Sequence, residues 1–345
     1  MSSGEADAQP GLPASGLAKD PVAAALLHFQ LRFAAGAALS YVLCEYMAWT
    51  PTFLPPLFFG LVITSLPSSP PLKVGIILVA AMAAAAWISY LLTTLLLFSP
   101  AVLVGAVGIF LFLALAALAH HKAVLPAILL LICLATIPVI GLLAPAQADL
   151  LPKAYVRAMA VAIGTIWFVY AIWPLTLPKA AAPAPAPIES PLRTALGGTL
   201  ILLPIMMTFL LFGWADALPV MISTVLLVIT FDPKEGFRQG VVRSASVLIG
   251  GLIGYISYLL LWISPHLLSL ALVTFIIALW FAIQIGKGGP RSMLYLLAFN
   301  TTMVILGTAV ASPDASSGIW MTRLFQFTFA GLLAVAMMNL VWRKR

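Results

Sequence analysis

Apolar residues in this chain come in long blocks, not in alternation. Val74 to Phe98 contains no charged residue, and Val102 to Ala119 and Leu267 to Ile285 read the same way. Runs of 18 or more apolar residues predict helices that cross a bilayer. The strands of a membrane barrel would alternate apolar and polar positions instead. Charges and Pro/Gly breaks divide the chain into twelve apolar segments. Six lie at about 28–48, 53–66, 73–98, 101–119, 123–143 and 153–175, and six at about 192–212, 217–231, 239–262, 267–285, 291–310 and 319–342.

The two sets of six can be laid over one another. An Arg-x-x-x-Gly opening occurs at Arg32–Gly36 and again at Arg193–Gly197, an offset of 161. Trp49 matches Trp214 and Ser99-Pro100 matches Ser264-Pro265 at 165; Pro67/Pro233, Thr136/Thr302, Gly141/Gly307 and Arg157/Arg323 match at 166. The ordered series points to a duplicated unit. An even number of spans per copy makes both copies enter from the same side, the parallel-repeat case. The expected fold class is therefore all-α: a polytopic membrane protein of about twelve transmembrane helices in two parallel six-helix repeats. The expected layout is a disordered cytoplasmic tail (1–27), a first repeat (28–178), a linker (179–190) and a second repeat (191–345). Alternating Ala and Pro in the linker, from Lys179 to Glu189, favours a stiff extended spacer over a helix.

Composition agrees with this and adds an orientation. Of the 345 residues 63% are hydrophobic and 8% charged, against about 25% charged in soluble domains. With both termini in the cytoplasm, only Lys153, Arg157 and Arg323 of the 17 Lys and Arg fall on the outer side. That is a strong positive-inside bias. It accounts for the net charge of +7 without nucleic acid. Cys44 and Cys133 both sit in apolar segments and imply neither a disulfide framework nor zinc. The first 20 residues lack a basic signal-peptide region.

No catalytic constellation is visible: there is no phosphate-binding glycine loop, no G-x-S-x-G and no histidine pair at metal spacing. His120-His121 reads as part of a solvated turn, and the charged loop Asp232–Arg238 likewise. No enzyme activity, cofactor or metal is expected. The informative features are the second segment of each half, only about 14–15 residues long against the ~20 needed to span. Pro55 and Pro56 open the first, and Pro219 sits in the second. Paired short, Pro-bearing segments point to a transporter's substrate site, or else to tilted or re-entrant packing elements.

Arg157 and Arg323 are repeat mates near the outer end of the last helix of each half. A central arginine costs roughly 2.5–3.5 kcal/mol, so they either snorkel to the headgroups or bind an anion bidentately. Glu45 is the carboxylate firmly inside a segment, either a proton-coupling group or an interfacial anchor. Asp216 is a second proton-coupling candidate or a helix N-cap. Asn300, Thr301 and Thr302 form the most polar intramembrane patch, for helix–helix hydrogen bonds or for lining a cavity. Gly250, Gly251 and Gly254 read as a small-residue packing face.

The Arg-x-x-x-Gly start, the short Pro-containing second segment, the loop after it and the closing helix with its arginine resemble the fusaric acid resistance/aromatic acid exporter superfamily. The likeness runs from Arg32 onward in two copies. It implies a bacterial inner-membrane protein that exports aromatic carboxylic acids, driven by the proton gradient, with a periplasmic membrane-fusion partner. Larger members carry a substantial cytoplasmic region between the halves, and here only Lys179–Glu189 separates them. The expected function is secondary export of small organic acids. Its substrate-binding residues are Arg157, Arg323, Pro55, Pro56, Pro219, Asn300 and Thr302, and Glu45 or Asp216 handles protons. Partners are the lipid bilayer, the organic anion, the adaptor and further copies of the chain. The alternatives are a non-transporting scaffold subunit and a major-facilitator-type carrier. Against the latter, Pro67–Lys73 lacks the charged Gly/Asp/Arg-rich loop expected there.

Overall fold

The computed structural model describes residues 21–66, 68–121, 124–176, 190–213, 236–289 and 291–311, with isolated positions between 221 and 229 and between 325 and 337. Among the described residues the helices of more than one turn are α1 (Pro21–Tyr46), α2 (Leu54–Ser65), α3 (Leu72–Leu96), α4 (Pro100–Ala119), α5 (Val124–Leu143), α6 (Leu150–Ile172), α7 (Pro191–Leu211), α8 (Gly236–Ile263), α9 (Leu267–Gly286) and α10 (Arg291–Ala311). The described residues contain no strand. Eight of the helices are long and apolar enough to cross a membrane. The protein is a polytopic helical membrane protein.

Helix positions follow the apolar runs closely, with α1, α6 and α8 starting early. Helix α1 starts at Pro21, so residues 21–27 are helical and not part of a tail. Helix α6 starts at Leu150, after a single 3₁₀ turn at Pro145–Gln147. The expected spans at 217–231 and 319–342 fall largely outside the described residues. Within the first, Met221, Ile222, Thr224, Val225 and Val228 are helical and buried.

Apolar side chains are sorted by what they face. Helices α3 and α4, and again α8 and α9, present Ile, Leu and Trp outward, among them Ile76, Leu91, Ile109, Ile256, Leu272 and Ile276. Such a belt matches acyl chains. The interior is built from α2, α5 and α10. In α2, every residue from Leu54 to Ile63 is buried. In α5 the buried run extends from Leu131 to Gly141, and in α10 from Leu296 to Gly307.

Packing recurs along the chain. Helix α3 packs on α5, and α5 on α4; α8 packs on α10, and α10 on α9. Across the middle, α1 packs on α9 and α4 on α7. Small residues bring α8 against α10: a Cβ on Gly254 would stand 2.9 Å from the Thr302 carbonyl oxygen, and one on Gly250 would overlap the Ala298 carbonyl. The packing face expected of Gly250 and Gly254 is present, as in other membrane helix pairs. The Thr302 hydroxyl donates to Gly250 O at 2.8 Å and to Ala298 O at 2.9 Å, tying the same two helices together.

Candidate functional site

Helix α2 is the organising element. Its 12 residues rise about 18 Å, well short of the ~30 Å hydrocarbon core. Pro55 and Pro56 lie in its first turn, where the missing N–H groups have no intrahelical acceptor to lose. They start the helix and do not break it. Prolines inside long helices are Pro138 in α5, which is buried, and Pro204 in α7. Near Pro138, the Thr136 hydroxyl donates to Ile132 O at 2.7 Å and contacts the Tyr155 hydroxyl at 2.8 Å.

A cavity lies at each end of α2. One, of about 490 Å³, is lined by Thr64 and Ser65 at the end of α2, by Arg32 of α1, Tyr170 of α6 and Ser292 and Leu296 of α10. The other, also about 490 Å³, is lined by Thr50–Phe53 ahead of α2, by Leu151 and Ala154 of α6, and by Gly307 and Thr308 of α10. The beginnings and ends of successive helices thus alternate between the two cavities, as in an up-and-down bundle.

Between them, among the described residues, α2 is packed by aromatic side chains. Phe33, Phe59, Phe299 and Phe281 come from α1, α2, α10 and α9, and each is fully buried. Ring centroids are 6.2 Å apart for Phe33–Phe59, 4.9 Å for Phe33–Phe299 and 5.8 Å for Phe281–Phe299, all edge-on. That is the favoured aromatic geometry. The glycine of the Arg-x-x-x-Gly motif has its reason here: the Phe59 ring occupies the space that a Cβ on Gly36 would need.

The arginine of the motif has a separate role. Arg32 is 2% exposed yet lines the first cavity. Its Nη1 donates to Trp173 O at 2.6 Å and Leu175 O at 2.7 Å, just past the end of α6. The guanidinium carbon sits 4.2 Å from the centroid of the Tyr170 ring. Carbonyls at a helix C-terminus and an aromatic face both favour a cation. Its Nε is buried without a partner, which by itself costs ~1–3 kcal/mol. Among the described residues the one ion pair is the exposed Lys153–Asp149, so no carboxylate neutralises Arg32. Its sequence mate Arg193 is exposed on α7.

The other sequence candidates separate into groups. Arg157 lies about two turns into α6, and its Nη2 donates to Thr50 O at 3.0 Å. Its guanidinium carbon is 4.9 Å from the Trp49 ring centroid. It holds the loop ahead of α2, beside the second cavity. Pro55 and Pro56 are buried and line neither cavity. Asn300 is 1% exposed, with Oδ1 unpartnered, inside the buried stretch of α10 between the cavities. Thr302 is a helix-pairing residue by its bonds. Glu45 lines a third cavity, of about 280 Å³, with Tyr258, His266 and Leu270, and its Oε1 is buried without a partner. Tyr41 lies one helical turn before it, with its hydroxyl buried, and the Thr52 hydroxyl of the second cavity is buried likewise. Arg323, Asp216 and Pro219 lie outside the described residues. Arg32 is the functional candidate that sequence reading missed. Its signal, a cation eleven residues into α1 at the head of a repeat motif, was absorbed by the positive-inside count.

A family profile described as "Protein of unknown function (DUF2955)" matches residues 30–169. That interval runs from just before Arg32 to near the end of α6. The description names no activity. No curated protein and no solved structure matches the chain.

Proposed function

We propose that the protein is a secondary transporter of the bacterial inner membrane that exports small organic acids, aromatic carboxylic acids foremost, coupled to protons. The observation that carries this reading is the pair of cavities at opposite ends of α2, separated by the buried Phe33–Phe59–Phe299–Phe281 contacts. Alternating access needs two half-paths around a central barrier, with irregular backbone only where it lines a cavity. The loop at Thr50–Phe53 is such backbone.

Two six-span repeats fit the same reading. If α1–α6 correspond to α7, the segment around 221–229, α8, α9, α10 and the last span, then α3–α5–α4 packing recurs as α8–α10–α9. The contacts α1–α9 and α4–α7 then become reciprocal, as a twofold axis along the membrane normal requires. The profile match over residues 30–169 covers the first such unit. Ile229 lines the same cavity as Arg32, consistent with a short crossing between α7 and α8. With both termini cytoplasmic, the Arg32 cavity faces the cytoplasm and the Glu45 cavity the periplasm. Glu45, half-buried with its Oε1 unpartnered and one turn after Tyr41, is then the group that takes an outer proton, and Arg157 holds the outer loop through Trp49 and Thr50. Asp216 remains the alternative proton-coupling group, and Arg323 and Pro219 remain substrate-binding candidates of the second half. A periplasmic adaptor and further copies of the chain are the proposed protein partners.

The test is flux in proteoliposomes. Protein reconstituted with an imposed pH gradient should accumulate benzoate or hydroxybenzoates in the vesicles into which it exports. Glu45→Gln should lose gradient-driven accumulation. Absence of organic-acid flux from the native chain, under either polarity of gradient, would refute the exporter.

A further inference from the structure

We infer that Arg32 is the anion-binding residue of the α2-end cavity, and that this cavity takes a small monocarboxylate with an apolar, ring-sized body. The inference deepens the exporter reading, on which it rests for the direction in which such an anion would move. A guanidinium that is almost wholly buried, meets no carboxylate among the described residues and lines a cavity of about 490 Å³ is a positive charge awaiting a counter-ion. Its donor set selects the kind. Nη1 is occupied by the carbonyls of Trp173 and Leu175, while Nε has no partner. Nη2 is therefore the guanidinium nitrogen neither committed to a carbonyl nor sealed off without a partner, and a carboxylate oxygen suits such a donor.

The rest of the wall sets the body of the ligand. Phe29, Ile128, Ile229, Ile285 and Leu296 are apolar, and Tyr170 already lies against the guanidinium plane. Such walls desolvate a ring or a short branched chain and disfavour multiply charged anions, for which no second cation lines the cavity among the described residues. The Thr64 and Ser65 hydroxyls donate to Gly60 O and Leu61 O of their own helix, each at 2.6 Å, so they present acceptor lone pairs and no further charge. A hydroxyl substituent on the ligand could donate to them. Arg193 is exposed on α7 and does not line this cavity.

Equilibrium binding of labelled benzoate to the purified full-length chain in nanodiscs tests this, with benzamide as the neutral isostere and acetate as the anion without a body. Benzoate should bind, and benzamide and acetate should compete poorly. Arg32→Gln should weaken benzoate about 10- to 150-fold, Arg32→Lys should lose less, and Arg193→Gln should bind as the native chain does. Because Arg32 also holds the end of α6, its removal could unfold the protein. Ser65→Cys in a chain that keeps Arg32 then decides, since Ser65 lines the cavity and benzoate should slow its modification by a thiol reagent. Equal binding of benzoate and benzamide, undiminished binding by folded Arg32→Gln, or no protection of Ser65→Cys would overturn the assignment. Binding and protection without flux would leave the site standing and remove the exporter. Flux with an unchanged KM in Arg32→Gln would do the reverse.

Discussion

At the scale of single residues, the Arg-x-x-x-Gly motif divides into two functions four residues apart. One helical turn separates the guanidinium in the cavity from the glycine that admits the Phe59 ring into the seal. The glycine is a matter of volume. Gly36→Val should lower stability by about 1–3 kcal/mol through overpacking, read as a lower melting temperature in detergent. Phe59→Ala in the same chain should recover part of that loss, because it vacates the space that the new side chain needs. A Gly36→Val protein as stable as the native one would show that the aromatic seal is looser than the structure has it.

At the scale of elements, close helix pairing and lipid exposure can be told apart at glycines. Gly254 meets the Thr302 carbonyl oxygen of α10, whereas Gly105 on α4 has nothing within 4 Å of an added Cβ. Gly254→Leu should push α8 off α10, break the Thr302–Gly250 hydrogen bond and sharply reduce the yield of monodisperse protein. Gly105→Leu should leave yield and melting temperature unchanged, since it adds one more apolar group to a face that already carries Val102, Ile109 and Leu113. Equal tolerance at both positions would contradict the α8–α10 packing. Helix α2 shows the limits of reading prolines from sequence. Pro55 and Pro56 open the segment as their position suggested, and first-turn prolines cost a helix nothing, so they do not by themselves mark a substrate site; neither lines a cavity at the ends of α2.

At the scale of the whole molecule, the contacts between the early and late helices are the part most open to direct test. A Cβ on Gly286 would lie 2.8 Å from Leu26 Cδ1, and one on Gly108 would lie 3.6 Å from Leu203 Cδ1. The cysteine pairs Leu26→Cys/Gly286→Cys and Gly108→Cys/Leu203→Cys should both cross-link with a short bifunctional thiol reagent. The pairs Leu26→Cys/Leu203→Cys and Gly108→Cys/Gly286→Cys should not. Cross-linking in the second set and not the first would mean that the halves are joined differently, and the two-cavity reading would fall with it.

Much of this architecture is already in the amino-acid order, because lipid imposes its demands locally. Each spanning helix must satisfy its own backbone hydrogen bonds and show acyl chains an apolar surface, so the blocks at 73–98, 101–119 and 267–285 became α3, α4 and α9 nearly residue for residue. Membrane character, the shortness of the second segment and the Gly250/Gly254 packing face were legible for the same reason. Function-bearing positions were not, since burial and charge pairing depend on helices far apart in sequence. Whether Arg32 is a topological charge or an unpaired cation in a cavity turns on Tyr170, Trp173 and Leu175, some 140 residues away. Likewise, Arg157 is tied to the loop at Trp49 and Thr50 by a bond no spacing rule contains. Only the folded chain could decide those, because an arginine's role is set by the counter-charges and carbonyls that reach it, and tertiary packing alone brings them there.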